Sequence, residues 1–118
     1  MEYILNMTQH APNDEQREAG LIEMDAVTQQ KIRDLLTFDE MPTAMEVSDR
    51  AEALAQMAWD IGIETVHIGG APFLMPTLVE ALEMKGMQPV FSFSKRIVEE
   101  KDGVKKSKFV FEGFLSVD

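Results

Sequence analysis

The sequence contains no cysteine, and this absence excludes several classes of protein. Without thiols the chain can form no disulfide framework, no thiolate zinc site and no cysteine nucleophile. Only two of the 118 residues are histidine, so a histidine-rich metal site is not expected either. We therefore predict a protein that binds no metal ion and uses no cofactor.

Long hydrophobic runs and basic residues are also scarce. The apolar runs are far shorter than the roughly 20 residues that a membrane-spanning helix needs. The N-terminal residues have neither a basic segment nor a long apolar core, so no signal peptide is predicted. Lys and Arg number 11 against 21 Asp and Glu, a net charge of −10 that disfavours duplex nucleic acid. We expect a cytoplasmic protein that binds neither membranes nor duplexes.

The negative charge is unevenly distributed along the chain. Residues 1–60 hold 13 acids and 4 bases, whereas residues 61–118 hold 8 acids and 7 bases. Within residues 85–108 the balance reverses to 7 bases and 3 acids. A local basic segment in an acidic chain favours a compact anionic ligand over a long polyanion. The alternative is that its lysines, among them Lys105 and Lys106, only form a solvated hairpin.

Apolar runs and amphipathic segments alternate along the chain in the order typical of an α/β protein. Helix caps and apolar periodicity predict helices at 13–20, 25–36, 43–61 and 76–85. Strands are predicted at 3–5, 65–68, 89–98 and 108–115, with Asp102-Gly103 as a hairpin turn that sets Glu100 opposite Lys105. We predict one small Rossmann-like, three-layer domain over residues 1–118, with a parallel sheet core and a C-terminal antiparallel hairpin.

Polar residues follow the first predicted strand, where ligands bind in open α/β sheets. Asn6, Thr8 and His10 recur at a spacing of two, so in an extended chain they point to one side. Their amide, hydroxyl and imidazole can bind phosphate or ribose, and His10 can transfer protons near neutral pH. The alternative is that Asn6 and Thr8 shape a turn and His10 is exposed.

Two glycines follow the second predicted strand, at residues 65–68. Gly69 and Gly70 allow close approach of the backbone to an anionic ligand. The alternative is a tight turn between a strand and a helix. His67, within the strand, is interpreted as a hydrogen-bonded residue of the sheet.

Hydroxyls and cations lie in the strand that begins near residue 89. Ser92 and Ser94 share one face, and their small side chains leave room for a ligand. Lys95 and Arg96 follow directly and would supply positive charge at the sheet crevice. We predict that at least one of these two cations contacts the ligand.

The opening strand, Asn6-Met-Thr8-Gln-His10 and then Pro12 together resemble the small CRISPR-associated ring nucleases of type III systems. Those proteins often begin with a strand and a motif Asn-x-(Ser/Thr)-x-His, followed by proline or leucine. The length of this chain and its predicted Rossmann-like fold also resemble those of the ring nucleases. The wider pattern, with Gly69-Gly70-Ala-Pro and Phe-Ser94-Lys-Arg, also resembles bacterial and phage proteins found among antiviral defence genes.

The resemblance implies a specific activity. Such proteins bind cyclic oligoadenylate, a second messenger, across a homodimer and cleave it without metal through attack of a ribose 2′-hydroxyl on the adjacent phosphate. It implies that His10 acts as acid or base and that Lys95 or Arg96 stabilises charge. The predicted ligand-binding groups are those of Asn6, Thr8, Gly69, Gly70, Ser92 and Ser94. Two alternatives remain: a non-catalytic cyclic-nucleotide-binding sensor or sponge, and a structural or interaction protein.

Overall fold

The computed structural model describes residues 2–116, which form five strands and four helices. In chain order these are β1 (Ile4–Met7), α1 (Asp14–Glu18), β2 (Leu21–Ile22), α2 (Ala26–Leu36), α3 (Ala44–Ile61), β3 (Thr65–Ile68), α4 (Met75–Met84), β4 (Gln88–Lys101) and β5 (Val104–Ser116). Each predicted helix and strand is present, and the two-residue strand β2 is an addition that no sequence pattern indicated. The predicted domain limits, residues 1 and 118, lie outside the described residues.

The helices begin and end where local chemistry places them. Asn13 caps α1 in a full capping box: its side chain accepts from the Gln16 backbone N–H at 2.8 Å, and its own N–H donates to Gln16 Oε1 at 3.0 Å. Thr43 caps α3 by accepting from the Glu46 N–H, and Gly62 ends that helix. None of the helices within residues 2–116 has the length and hydrophobicity to cross a lipid bilayer.

The strands form one sheet in the order β2-β1-β3-β4-β5. The first three pairings are parallel, and β4 and β5 form an antiparallel hairpin. The hairpin turns at Asp102-Gly103 and sets Glu100 opposite Lys105, as predicted. The expected α/β fold, a mostly parallel Rossmann-like sheet with a C-terminal antiparallel pair, is confirmed.

The two faces of the sheet are covered unequally. Leu5, Met7, Val66 and Ile68 point to the face on which α2, α3 and α4 pack, and the main hydrophobic core lies there. The opposite face carries a small cluster of Ile4, Leu21, Val90 and Phe114. In the described part of the chain, α1 is the helix that packs near this second face, against β2 and β5. The third layer is therefore one short helix, which leaves part of the sheet accessible.

The distal part of the β4–β5 hairpin extends away from the rest of the molecule. We call residues 94–111 the hairpin arm; their side chains are mostly exposed. The molecule measures 53 × 37 × 30 Å, and its radius of gyration is 15.9 Å. A compact domain of this length would have a radius of gyration of about 13.5 Å. The arm accounts for the elongated shape.

Candidate functional site

A cleft of about 330 Å³ opens at the carboxyl ends of β1 and β3, beside β4. Its walls are formed by residues 8–11, 16, 21, 67–70, 91 and 92. The three segments that the sequence placed at this edge of the sheet do meet here. None of the described wall residues is Asp, Glu, Lys or Arg, although the chain carries 21 acids. Nor do three His, Asp or Glu side chains within residues 2–116 lie close enough to share a metal ion.

The segment after β1 bends, and Asn6 stabilises the bend from inside the protein. Asn6 is fully buried; its Nδ2 donates to the His10 carbonyl at 2.8 Å, and its Oδ1 accepts from Thr8 Oγ1 at 2.8 Å. The chain therefore does not stay extended through residue 10, and Asn6 does not line the cleft. For Asn6 the structure agrees with the turn-shaping alternative. The consequence is that Thr8 and His10 are presented to the cleft in a defined geometry.

Thr8 and His10 both line the cleft but differ in exposure. Thr8 is buried, and its hydroxyl contacts both Asn6 and the His10 carbonyl, the latter at 3.1 Å. His10 is exposed at the opening. An exposed imidazole on a hydrogen-bonded bend can reach a bound ligand without first breaking an internal contact.

His67 is the site residue that the sequence interpretation missed. It is only 7% exposed, and its Nδ1 is buried without a hydrogen-bond partner among the described residues. Burial lowers its pKa to about 4, so the ring is neutral at pH 7. It lines the cleft and packs edge-to-face on Phe114, with ring centroids 5.2 Å apart. The interpretation of His67 as a hydrogen-bonded sheet residue is wrong for Nδ1, because this buried atom has no hydrogen-bond partner among the described residues.

A sequence signal for His67 did exist. The residue lies two positions before Gly69, at the carboxyl end of a parallel strand, where ligands bind in such sheets. In the sheet it lies directly beside Asn6, and the Asn6 amide is already engaged by the bend. An unpaired buried polar group of this kind is uncommon in folded proteins and calls for an explanation.

Gly69 and Gly70 form another part of the wall, and the backbone conformation favours glycine at Gly70. Gly70 has a φ of +148°, which other residues rarely adopt. A Cβ on Gly69 would lie 3.3 Å from Thr8 Cγ2, a tight contact with the first wall of the cleft. The helix α4 begins only at Met75, and its first turn does not border the cleft. Any anion contact on this side would therefore come from the backbone of the glycine turn.

The residues predicted in the third strand separate into two groups. Ser92 lines the cleft, whereas Ser94, Lys95 and Arg96 lie beyond it, on the exposed hairpin arm. Ser94 and Arg96 face the same side of β4 as Ser92, and Lys95 faces the other side. The structure thus brings together five of the predicted residues, namely Thr8, His10, Gly69, Gly70 and Ser92. The ligand roles of Lys95 and Arg96 stay predictions.

Fold and cleft together define a small Rossmann-like α/β protein with an uncharged, two-histidine cleft at the carboxyl ends of its parallel strands. The chain belongs to the uncharacterized protein MJ1673 family, whose model matches residues 2–115. The match includes both the cleft and the hairpin arm. No curated protein and no solved structure matches the chain.

Proposed function

We propose that the protein is a metal-independent ring nuclease that cleaves cyclic oligoadenylate in this cleft. The observation that carries the proposal is that both histidines of the chain, His10 and His67, line one cleft together with the hydroxyls of Thr8 and Ser92. The resemblance to ring nucleases of type III CRISPR systems supports the choice of substrate and a role in antiviral defence.

The electrostatics of the cleft suit an anionic ligand. A chain with a net charge of −10 repels anions from most of its surface. The described cleft walls contain no carboxylate, and they offer the Ser92 hydroxyl, the imidazoles and the glycine-turn backbone instead. Such neutral groups can bind phosphate oxygens and ribose through hydrogen bonds.

Two imidazoles suffice for the proton transfers of metal-independent cleavage. One accepts the proton of a ribose 2′-hydroxyl as that oxygen forms a bond to the adjacent phosphorus. The bond from phosphorus to the 5′-oxygen breaks, and the other imidazole, protonated, donates a proton to that oxygen. The products are a 2′,3′-cyclic phosphate and a 5′-hydroxyl. His10, exposed at the opening, and His67, within the cleft, are the two imidazoles to which we assign these roles.

Cations would reach the ligand from the arm. Arg96 lies outside the cleft on the Ser92 side of β4, so it would contact parts of a ring that extend beyond the cleft, whereas Lys95 faces the other side. In a homodimer with two-fold symmetry, the two clefts are equivalent and would bind equivalent halves of one two-fold symmetric ring. We propose this dimeric arrangement, with one ring per dimer.

The proposal is tested by incubating micromolar protein with cyclic tetra-adenylate in EDTA and separating the products by chromatography and mass spectrometry. We expect linear products with 2′,3′-cyclic phosphate ends. His10→Ala and His67→Gln should each lower the rate by about 100-fold or more, the usual contribution of acid–base groups. Gln30→Ala, at an exposed position of α2 outside the cleft, is the control and should cleave normally. A ring that stays intact after hours with the native protein would exclude catalysis.

A second candidate is a non-catalytic module that binds cyclic oligoadenylate as a sensor or sponge. It is favoured by the lack of Lys and Arg in the described cleft walls, since nothing charged there would stabilise a phosphorane. The same samples distinguish the two, because this candidate predicts heat of binding in calorimetry without any product.

A further inference from the structure

Three phenylalanines of β5 lie on one face of the sheet, from beside the cleft out along the hairpin arm. We call Phe109, Phe111 and Phe114 the aromatic row. Phe114 packs against His67, and its ring centroid lies 5.0 Å from that of Phe111. Phe109, farther along the arm, is 72% exposed. The row therefore begins beside His67, a cleft residue, and ends at an aromatic ring open to solvent.

A β-bulge places these rings on one face of the hairpin. Phe111 and Phe114 are three residues apart, and an odd spacing in a regular strand would send them to opposite faces. In β5, Phe111 lies opposite Ser94 and Gly113 lies opposite Phe93, so Glu112 between them is left unpaired. This extra residue returns both rings to the face of the sheet that carries His67.

Polar and basic residues of β4 alternate with the row. Ser92, Ser94 and Arg96 lie directly opposite Phe114, Phe111 and Phe109, respectively. Among the residues that the structure describes, Arg96 forms no ion pair. The arm belongs to the basic segment of an otherwise acidic chain. Aromatic faces interleaved with a free cation and hydroxyls are the composition of surfaces that bind single-stranded nucleic acid.

We propose that the aromatic row stacks nucleobases of the same ligand whose sugar–phosphate backbone enters the cleft. This inference rests on the proposed function and adds the part of the ligand that the cleft cannot hold. Rings spaced along a strand accept splayed bases, while Arg96 meets the connecting phosphates. A second copy of the chain is the competing occupant. A two-fold contact between two aromatic rows would bring the Arg96 side chains of both copies into the same interface. Repulsion between these like charges disfavours a second copy as the occupant.

The test measures binding of the 2′-deoxy analogue of cyclic tetra-adenylate, which lacks the attacking hydroxyl and so cannot be cleaved by this route. Phe109→Ala should weaken binding at least about fivefold, and Phe109→Trp should retain it. Phe93→Ala is the matched control, because Phe93 is 52% exposed on the opposite face of the same hairpin. That control should bind like the native protein.

A ring of the same size without bases separates stacking from backbone binding. Native protein should bind this abasic ring more weakly, and Phe109→Ala should bind it as the native protein does. If Phe109→Ala binds the adenine ring normally, the stacking role is refuted while the cleft proposal stands. If native protein binds neither ring, both proposals fail. If sedimentation shows that Phe109→Ala turns a dimer into a monomer at unchanged affinity, the row is an interface between copies and the inference is overturned.

Discussion

Two buried polar residues, side by side in the sheet, differ in how their hydrogen-bonding groups are used. Asn6 and His67 are register partners in β1 and β3. The Asn6 amide is fully engaged within the bend after β1, whereas His67 Nδ1 has no partner among the described residues. A buried polar group without a partner typically costs about 1–3 kcal/mol of stability. His67 also lines the cleft, and this position is why we place the residue in the candidate site.

The lowered pKa of His67 makes a prediction about stability and pH. The folded protein resists protonation of His67 down to about pH 4, whereas an unfolded chain takes up that proton near its usual value of 6.5. The unfolded state therefore binds more protons as the pH falls from 6.5 to 4, and stability is lost across that window. Relative to His67→Gln, the native protein should lose up to about 3 kcal/mol between pH 7 and pH 4. Urea denaturation of both proteins at several pH values measures this difference.

Parallel loss of stability in the two proteins would show that His67 does not titrate as proposed. The comparison with the variant is needed because many carboxylates also titrate in this range. Subtracting the two curves isolates the contribution of residue 67.

At the scale of elements, the shortness of β2 explains a buried glutamine in α2. The last pair of the β1–β2 ladder joins Leu5 and Ile22, so the next carbonyl of β1, that of Asn6, has no partner in β2. Gln29 supplies one: its Nε2 donates to the Asn6 carbonyl at 2.8 Å, and its Oε1 accepts from the Met24 N–H at 3.1 Å. The Gln29 side chain of α2 thus replaces the backbone hydrogen bonds that a longer β2 would supply.

Replacing Gln29 by Leu, a side chain of similar volume, should therefore destabilise the protein more than the small change in volume suggests. Gln29→Leu leaves the Asn6 carbonyl and the Met24 N–H without partners, and we expect a loss of about 1–3 kcal/mol. Gln30→Leu, on the exposed side of the same helix, should change stability by less than about 0.5 kcal/mol. Equal losses in the two variants, measured by chemical denaturation, would show that the buried hydrogen bonds contribute little.

At the scale of the whole molecule, the packed body holds the hydrophobic core, and the protruding hairpin arm carries the proposed binding surface. The main core lies among β1, β3 and the helices α2 to α4, and the arm contributes nothing to it. An isolated two-stranded hairpin is marginally stable in water. Because the arm lies outside the main core, its exposed aromatic side chains are available for the base stacking that we propose.

Shortening the arm should leave the body folded. Residues 97–108 can be replaced by Asn-Gly, which joins Arg96 to its register partner Phe109 through a two-residue turn. We expect the free energy of unfolding to change by less than about 1 kcal/mol, because the removed residues bury no core. The radius of gyration of a single chain, 15.9 Å for the Cα atoms of the native protein, should fall towards about 13 Å; small-angle scattering of the monomeric fraction measures the change. A loss of several kcal/mol would instead show that the arm supports the body.

Local chemistry explains why most elements could be predicted. The capping box at Asn13, the cap at Thr43, the stop at Gly62 and the Asp102-Gly103 turn depend on contacts within about four residues along the chain. The strand β2 escaped prediction because two residues show no periodicity, and pairing with β1 alone defines it. The convergence of three polar segments at one cleft followed from the general rule for parallel strands.

The sequence by itself determined the α/β order, the helix ends, the hairpin turn and the edge of the sheet at which polar residues gather. Only the tertiary structure decided which of those residues face the cleft. Asn6 turned inward because Thr8 and the His10 carbonyl bend back onto it. His67 was left without a partner, and the bulge at Glu112 aligned the aromatic row. Both outcomes depend on pairing between distant strands, because hydrogen-bond partners and strand register are set by residues far apart in the chain.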